Sequence, residues 1–176
     1  MISLKDYVKT ILYVYPLIRE LEKEYQKHIE NRAVLSYREQ SSVESQVEYL
    51  AKEIADKRNL LWLQSCVDKV LAQLSDSERT LIAVRYFGKT RAIKKAVAAK
   101  VKTQAVQKNG MSERTYFRVQ NKLVGKVGEL LISMGLDKKA FNELFADLSL
   151  FKEVSLLQAR REYKLTENEK RWFGCA

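Results

Sequence analysis

Residues 110–123 read GMSERTYFRVQNKL, and the order of residue types in that stretch decides how the middle of the chain folds. Asn109-Gly110 is a turn signal, because both residues tolerate backbone angles that other residues avoid. Ser112 then offers a side-chain oxygen to the unpaired backbone N–H groups of a helix starting behind it. Tyr116, Val119, Leu123, Val127 and Leu130/Leu131 follow at steps of three and four, which is one apolar helical face. At about 100° per residue the opposite arc holds Glu113, Arg114, Phe117, Arg118 and Asn121, which therefore form one outward strip. Gly135 is the expected stop.

Working outward, residues 91–108 are rich in Ala and Lys, with Ile93, Val97, Val101 and Ala105 on one side, and predict a helix. Helix, turn at 109–111, then a capped helix is the layout of a helix-turn-helix, whose second helix enters the DNA major groove. Further upstream, residues 74–87 read LSDSERTLIAVRYF. Ser75 stands three residues before Glu78, the spacing of a capping box that opens a helix, and Gly88 can end it.

The flanks are helical too. From residue 4 to about 31, Leu4, Val8, Ile11, Leu12, Tyr15, Ile18, Leu21, Tyr25 and Ile29 form one stripe. Pro16 cannot donate a backbone bond to the preceding turn, so the segment is either one kinked helix or two helices, and the kink is favoured. Ser41-Ser42 cap a second helix near residue 42, with an inward stripe of Val43, Val47, Leu50, Ile54 and Leu61, then Leu63, Val67, Val70 and Leu74. Its phase changes at residues 59–62. Two long helices joined by a short connection pair antiparallel. Residues 137–150 and 151–163 also read as helices, and Thr166 can cap a last turn before Trp172.

One proline and six glycines in 176 residues are too few for an all-β protein and favour long helices. The expected fold is all-α. It has an N-terminal helical hairpin (residues 1–74), a basic helix-turn-helix domain (75–135) and a helical C-terminal extension (136–176).

The formal net charge is +10, which suggests an anionic partner, and its placement narrows the choice. Residues 1–75 carry 11 Lys/Arg against 11 Asp/Glu, and residues 136–176 carry 8 against 7. Residues 76–135 carry 13 against 4, and within 79–126 Glu113 is the sole acid. The basic character therefore belongs to the segment with the helix-turn-helix layout, as a DNA footprint requires.

The outward strip suits base readout. Arg pairs bidentately with guanine, Asn with adenine, Glu accepts from cytosine, and an aromatic edge touches a thymine methyl. Arg114, Arg118, Asn121, Glu113 and Phe117 are the candidates, although Phe117 can equally fold back onto a neighbouring helix. Lys89, Arg91, Lys94, Lys95, Lys102, Lys108, Ser112, Thr115, Lys122 and Lys126 are the candidates for phosphate.

The two quoted stretches together resemble region four of bacterial sigma factors, and more closely the phage transcriptional regulators of the ArpU and RinA type. Glu78, Arg79, Ile82, Arg85, Tyr86 and Phe87 match the packing helix of those proteins. Ser112, Glu113, Arg114, Thr115 and Arg118 match their recognition helix, and roughly 60 residues are covered. The resemblance implies a sequence-specific double-stranded DNA-binding regulator that contacts promoter or operator DNA. RNA polymerase contact and homodimerisation through the N-terminal helices are the accompanying expectations.

Other readings are weaker. Metal-dependent phosphoryl chemistry needs several carboxylates near the phosphate, and the basic segment has one; no phosphate-binding G-x-x-x-x-G-K-[ST] occurs. An enzyme is therefore not expected, and no cofactor is required. The small subunit of a phage terminase also combines a helix-turn-helix with oligomerising helices and stands as the alternative, with a small sigma factor behind it. Cys66 and Cys175 read as plain thiols, and His28 as a solvent-facing side chain. Tyr7, Tyr13, Tyr15, Tyr25 and Tyr49 read as helix-pair packing. Residues 91–108 lack Trp, Phe or Leu to insert into a bilayer, and no apolar run reaches membrane length, so a cytoplasmic protein is expected.

Overall fold

The structure, a computed structural model, describes residues 4–36, 43–87 and 113–160. All regular structure among them is helical, as the sequence predicts: α1 (Leu4–Val14), α2 (Ile18–Ser36), α3 (Val43–Gln73), α4 (Asp76–Ile82), α5 (Glu113–Ser133), α6 (Lys138–Phe145) and α7 (Ser149–Arg160).

Helix α1 lies at the centre. Tyr7, Val8, Thr10, Ile11, Leu12 and Val14 are all buried, because α1 meets α5 to α7 and the end of α4. A helix packed on several sides needs more than one apolar stripe, so Tyr7 and Val14 are buried beside the expected Val8, Ile11 and Leu12. Buried Thr10 donates its hydroxyl to the Asp6 carbonyl one turn back (3.0 Å). Pro16 tightens the chain into a 3₁₀ turn, Tyr15–Leu17, flanked by Val14 and Ile18 in right-handed helical conformation. The missing N–H is thus absorbed without leaving helical backbone, and Ile18 N–H bonds to the Tyr15 carbonyl.

Helices α2 and α3 run antiparallel. Tyr15 donates to Asp68, Lys57 Nζ donates to Gln26 Oε1 (2.6 Å), His28 Nδ1 lies 3.9 Å from Glu53 Oε1, and the Arg32 guanidinium sits 3.7 Å over the Tyr49 ring. Helix α3 is continuous through residues 59–62, and the phase change marks a change of neighbours instead. Its second half buries Leu60, Leu63, Cys66, Val67 and Val70, whereas its first half turns Glu53, Asp56 and Lys57 towards α2. The expected inward placement of Val47, Ile54 and Leu61 is therefore corrected: they are 59 %, 54 % and 44 % exposed. The polar side chains that pair with α2 take the inner side, and the apolar stripe is left on an adjacent, solvent-facing side.

Local signals end the other helices where they are expected. Glu78 N–H donates to Ser75 Oγ (3.3 Å) and Ser75 N–H to Glu78 Oε2 (2.9 Å), completing the capping box. Gly135, at φ +84°, closes α5: its N–H bonds to the Ile132 carbonyl and Leu136 N–H to the Leu131 carbonyl, both at 2.9 Å. That is a Schellman motif, with Leu131 and Leu136 in its apolar contact, both fully buried. Asp137 caps α6 by accepting from Ala140 N–H (2.7 Å). The break between α6 and α7 falls at residues 146–148, a few residues earlier than expected, where Leu148 N–H turns back to the Phe145 carbonyl. The turn lets Phe151 stack on Phe145 at 5.3 Å and meet Phe141.

Candidate nucleic-acid interface

Helix α5 carries the outward strip, and its inner face is held from several directions. Tyr116, Gln120, Leu123, Val124, Val127 and Leu131 are buried. Gln120 Nε2 donates to the Leu81 carbonyl (3.2 Å) and to Tyr116 Oη (3.3 Å), which fixes the first turns of α5 against α4. Lys126 Nζ donates to both carboxylate oxygens of Glu78, at 2.8 and 3.0 Å. At Gly128 a Cβ would stand 3.3 Å from Val8 Cγ2, so the bare backbone permits α5 to lie close on α1.

Helix α4 widens at its end into a π-helical turn, Ala83–Phe87. The extra backbone lets Tyr86 and Phe87 both be buried, against Tyr13 (4.8 Å) and Tyr15 (5.2 Å) respectively. The adjacent Arg85 reaches the other way, its guanidinium 5.9 Å from the Phe117 ring.

On the outer face Arg114, Arg118 and Lys122 are exposed at successive four-residue steps, a cationic row of about 6 Å per step. Asn121 and Thr115 are half-buried beside it. Phe117 is half-buried, its ring edge-on to Tyr116 (5.5 Å) and beside the Arg85 guanidinium of the π-turn. Glu113 is the first residue of α5. Lys126, a phosphate candidate in the sequence, is engaged by Glu78. Lys89, Arg91, Lys94, Lys95, Lys102, Lys108 and Ser112, with the helix and turn expected over 91–111, lie outside the described residues.

Two anchoring contacts went unread in the sequence. Gln120 stands one turn beyond Tyr116 on the inward arc, and that phase was the available signal. The Glu78 to Lys126 pair joins residues 48 apart, and neither local pattern points to the other.

Among the described residues no group of three or more His, Cys, Asp or Glu side chains is placed to hold a metal ion, and no helix is long and apolar enough to cross a membrane. Comparison of the chain with protein-family models, curated proteins and solved structures finds no match.

Proposed function

We propose that the chain is a sequence-specific double-stranded DNA-binding transcriptional regulator of phage or prophage type, with α5 as the recognition helix of a sigma-region-four-like helix-turn-helix. The observation that carries this reading is the exposed row Arg114, Arg118 and Lys122 on a helix held in place by Gln120 on the opposite face, by the close approach of Gly128 to α1 and, one turn beyond the row, by the pairing of Lys126 with Glu78. A recognition helix has to present its first turns rigidly, since bidentate contacts to base edges tolerate little displacement. In this reading Arg114, Arg118 and Asn121 reach base edges, with Glu113 and the half-buried Phe117 beside them. Lys122 holds phosphate, and the basic residues of 89–108 add sequence-independent attraction.

Selection of bound duplexes from a random library at two salt concentrations tests the proposal. A shared motif with a steep loss of affinity in salt supports it. Retained binding without enrichment of any sequence overturns it, in favour of a non-specific DNA binder such as a packaging subunit.

A further inference from the structure

The first half of α3 is inverted relative to an ordinary hairpin helix. Towards α2 it turns Glu53, buried with its Oε2 atom lacking any hydrogen-bond partner, and the half-buried Asp56 and Lys57. Towards solvent it turns Val47, Ile54 and Leu61, with Trp62 on the flank at 36 % exposure. The exposed residues follow a fixed rule. Val47, Ala51, Ile54, Arg58, Leu61 and Ser65 alternate steps of four and three, the seam of a two-helix coil, and large apolar positions alternate with small ones except at Arg58.

We propose that this face of α3 pairs with the same face of a second copy of the chain, antiparallel about a two-fold axis passing between Ile54 and Arg58. That register sets Ala51 against the partner's Leu61 and Val47 against the partner's Ser65, large against small in both cases, as close helix packing requires. The stem of Arg58 lies along the partner's Ile54 while its guanidinium reaches water at the rim. The charges agree with the same register. Exposed Glu44 and Lys69 lie on one edge of the seam, about equally far from the axis in opposite directions. Each therefore meets its opposite charge on the partner, whereas a parallel pairing sets like against like. From 44 to 69 the helix runs about 38 Å, long enough for a stable seam. The pairing uses neither α5 nor DNA, so it stands or falls separately from the DNA-binding reading.

The test is the mass of the full chain in solution without DNA, by light scattering on a sizing column and by sedimentation. Twice 20.5 kDa is expected for the parent, and the monomer mass for Ile54→Glu and Leu61→Glu with helical circular dichroism unchanged. Glu44→Lys and Lys69→Glu each weaken the dimer and their combination restores it. In a Cys66→Ser, Cys175→Ser background, Ala51→Cys with Leu61→Cys forms a disulfide between copies on mild oxidation. Within one helix those two positions are about 15 Å apart and cannot join. A monomeric parent protein overturns the proposal, as does a dimer or ring that survives Ile54→Glu or a double-cysteine variant that fails to cross-link.

Discussion

Lys126 Nζ donates to both carboxylate oxygens of Glu78, at 2.8 and 3.0 Å, while the same carboxylate accepts Ser75 N–H at 2.9 Å. One side chain thus opens α4 and ties it to α5, so the capping box also orients the helix proposed to read DNA.

The Lys126 hydrogen bond, followed by the bond from Ser75 N–H, holds the Glu78 carboxyl below its usual range. A carboxyl whose folded value is lowered adds stability that is present above the unfolded value, near 4.3, and is lost as pH falls through the folded value. Glu78→Gln keeps the capping geometry and removes the charge. It is expected to lower stability by about 0.5–1 kcal/mol at pH 7, with the difference from the parent lost as pH falls through the folded value of the Glu78 carboxyl. Urea unfolding at several pH values checks this.

Two glycines of α5 separate helix propensity from packing. At Gly125 a Cβ meets nothing within 4 Å, whereas at Gly128 it meets Val8 Cγ2 at 3.3 Å. Gly125→Ala is expected to stabilise by about 0.5–1 kcal/mol, since alanine restricts the unfolded chain and suits a helix. Gly128→Leu is expected to destabilise by about 1–3 kcal/mol by forcing α5 off α1. Denaturation midpoints compare the two.

What was legible in the sequence was local. The Ser75 box, the Gly135 stop and the inward phase of Tyr116, Leu123 and Val127 each depend on residues within a turn or two, and the structure has all of them. The face chosen by the first half of α3 was not legible, because periodicity reports that Val47, Ile54 and Leu61 share a side without saying which neighbour covers it. The polar partners on α2, Glu22, Gln26 and His28, set the rotation of the helix instead. Within the candidate interface, the exposure of Arg114 and Arg118 followed from phase. The half-burial of Phe117 was one of two outcomes that phase left open, and it is decided by Arg85 of the π-turn and by the adjacent Tyr116 ring.

The proposed readout divides the exposed row of α5 by role. Arg118→Ala is expected to relax discrimination at one or two base pairs by about 1–3 kcal/mol, leaving affinity for unrelated duplexes little changed. Lys122→Ala is expected to weaken all duplexes alike and to reduce the salt slope by about one. Binding isotherms on a selected site and its single-base variants, over a range of salt, distinguish the two. Identical behaviour of both variants defeats the assignment.

Asp56 gives the opposite pH response to Glu78. Burial between α2 and α3, reinforced by the neighbouring Glu53, raises its carboxyl against the opposing pull of Lys52. Where the folded value is raised, stability is fully present below the unfolded value, near 3.9, and is lost as pH rises through the folded value. At neutral pH the ionised group therefore opposes folding of the hairpin. Asp56→Asn keeps the size and removes that penalty, so its melting temperature is expected to exceed the parent's at pH 7 and to converge with it below about pH 4. Because Asp56 faces away from the Val47, Ile54 and Leu61 seam, the variant is also expected to leave the solution mass of the protein unchanged. A melting temperature equal to the parent's at every pH shows that the hairpin does not sense this charge.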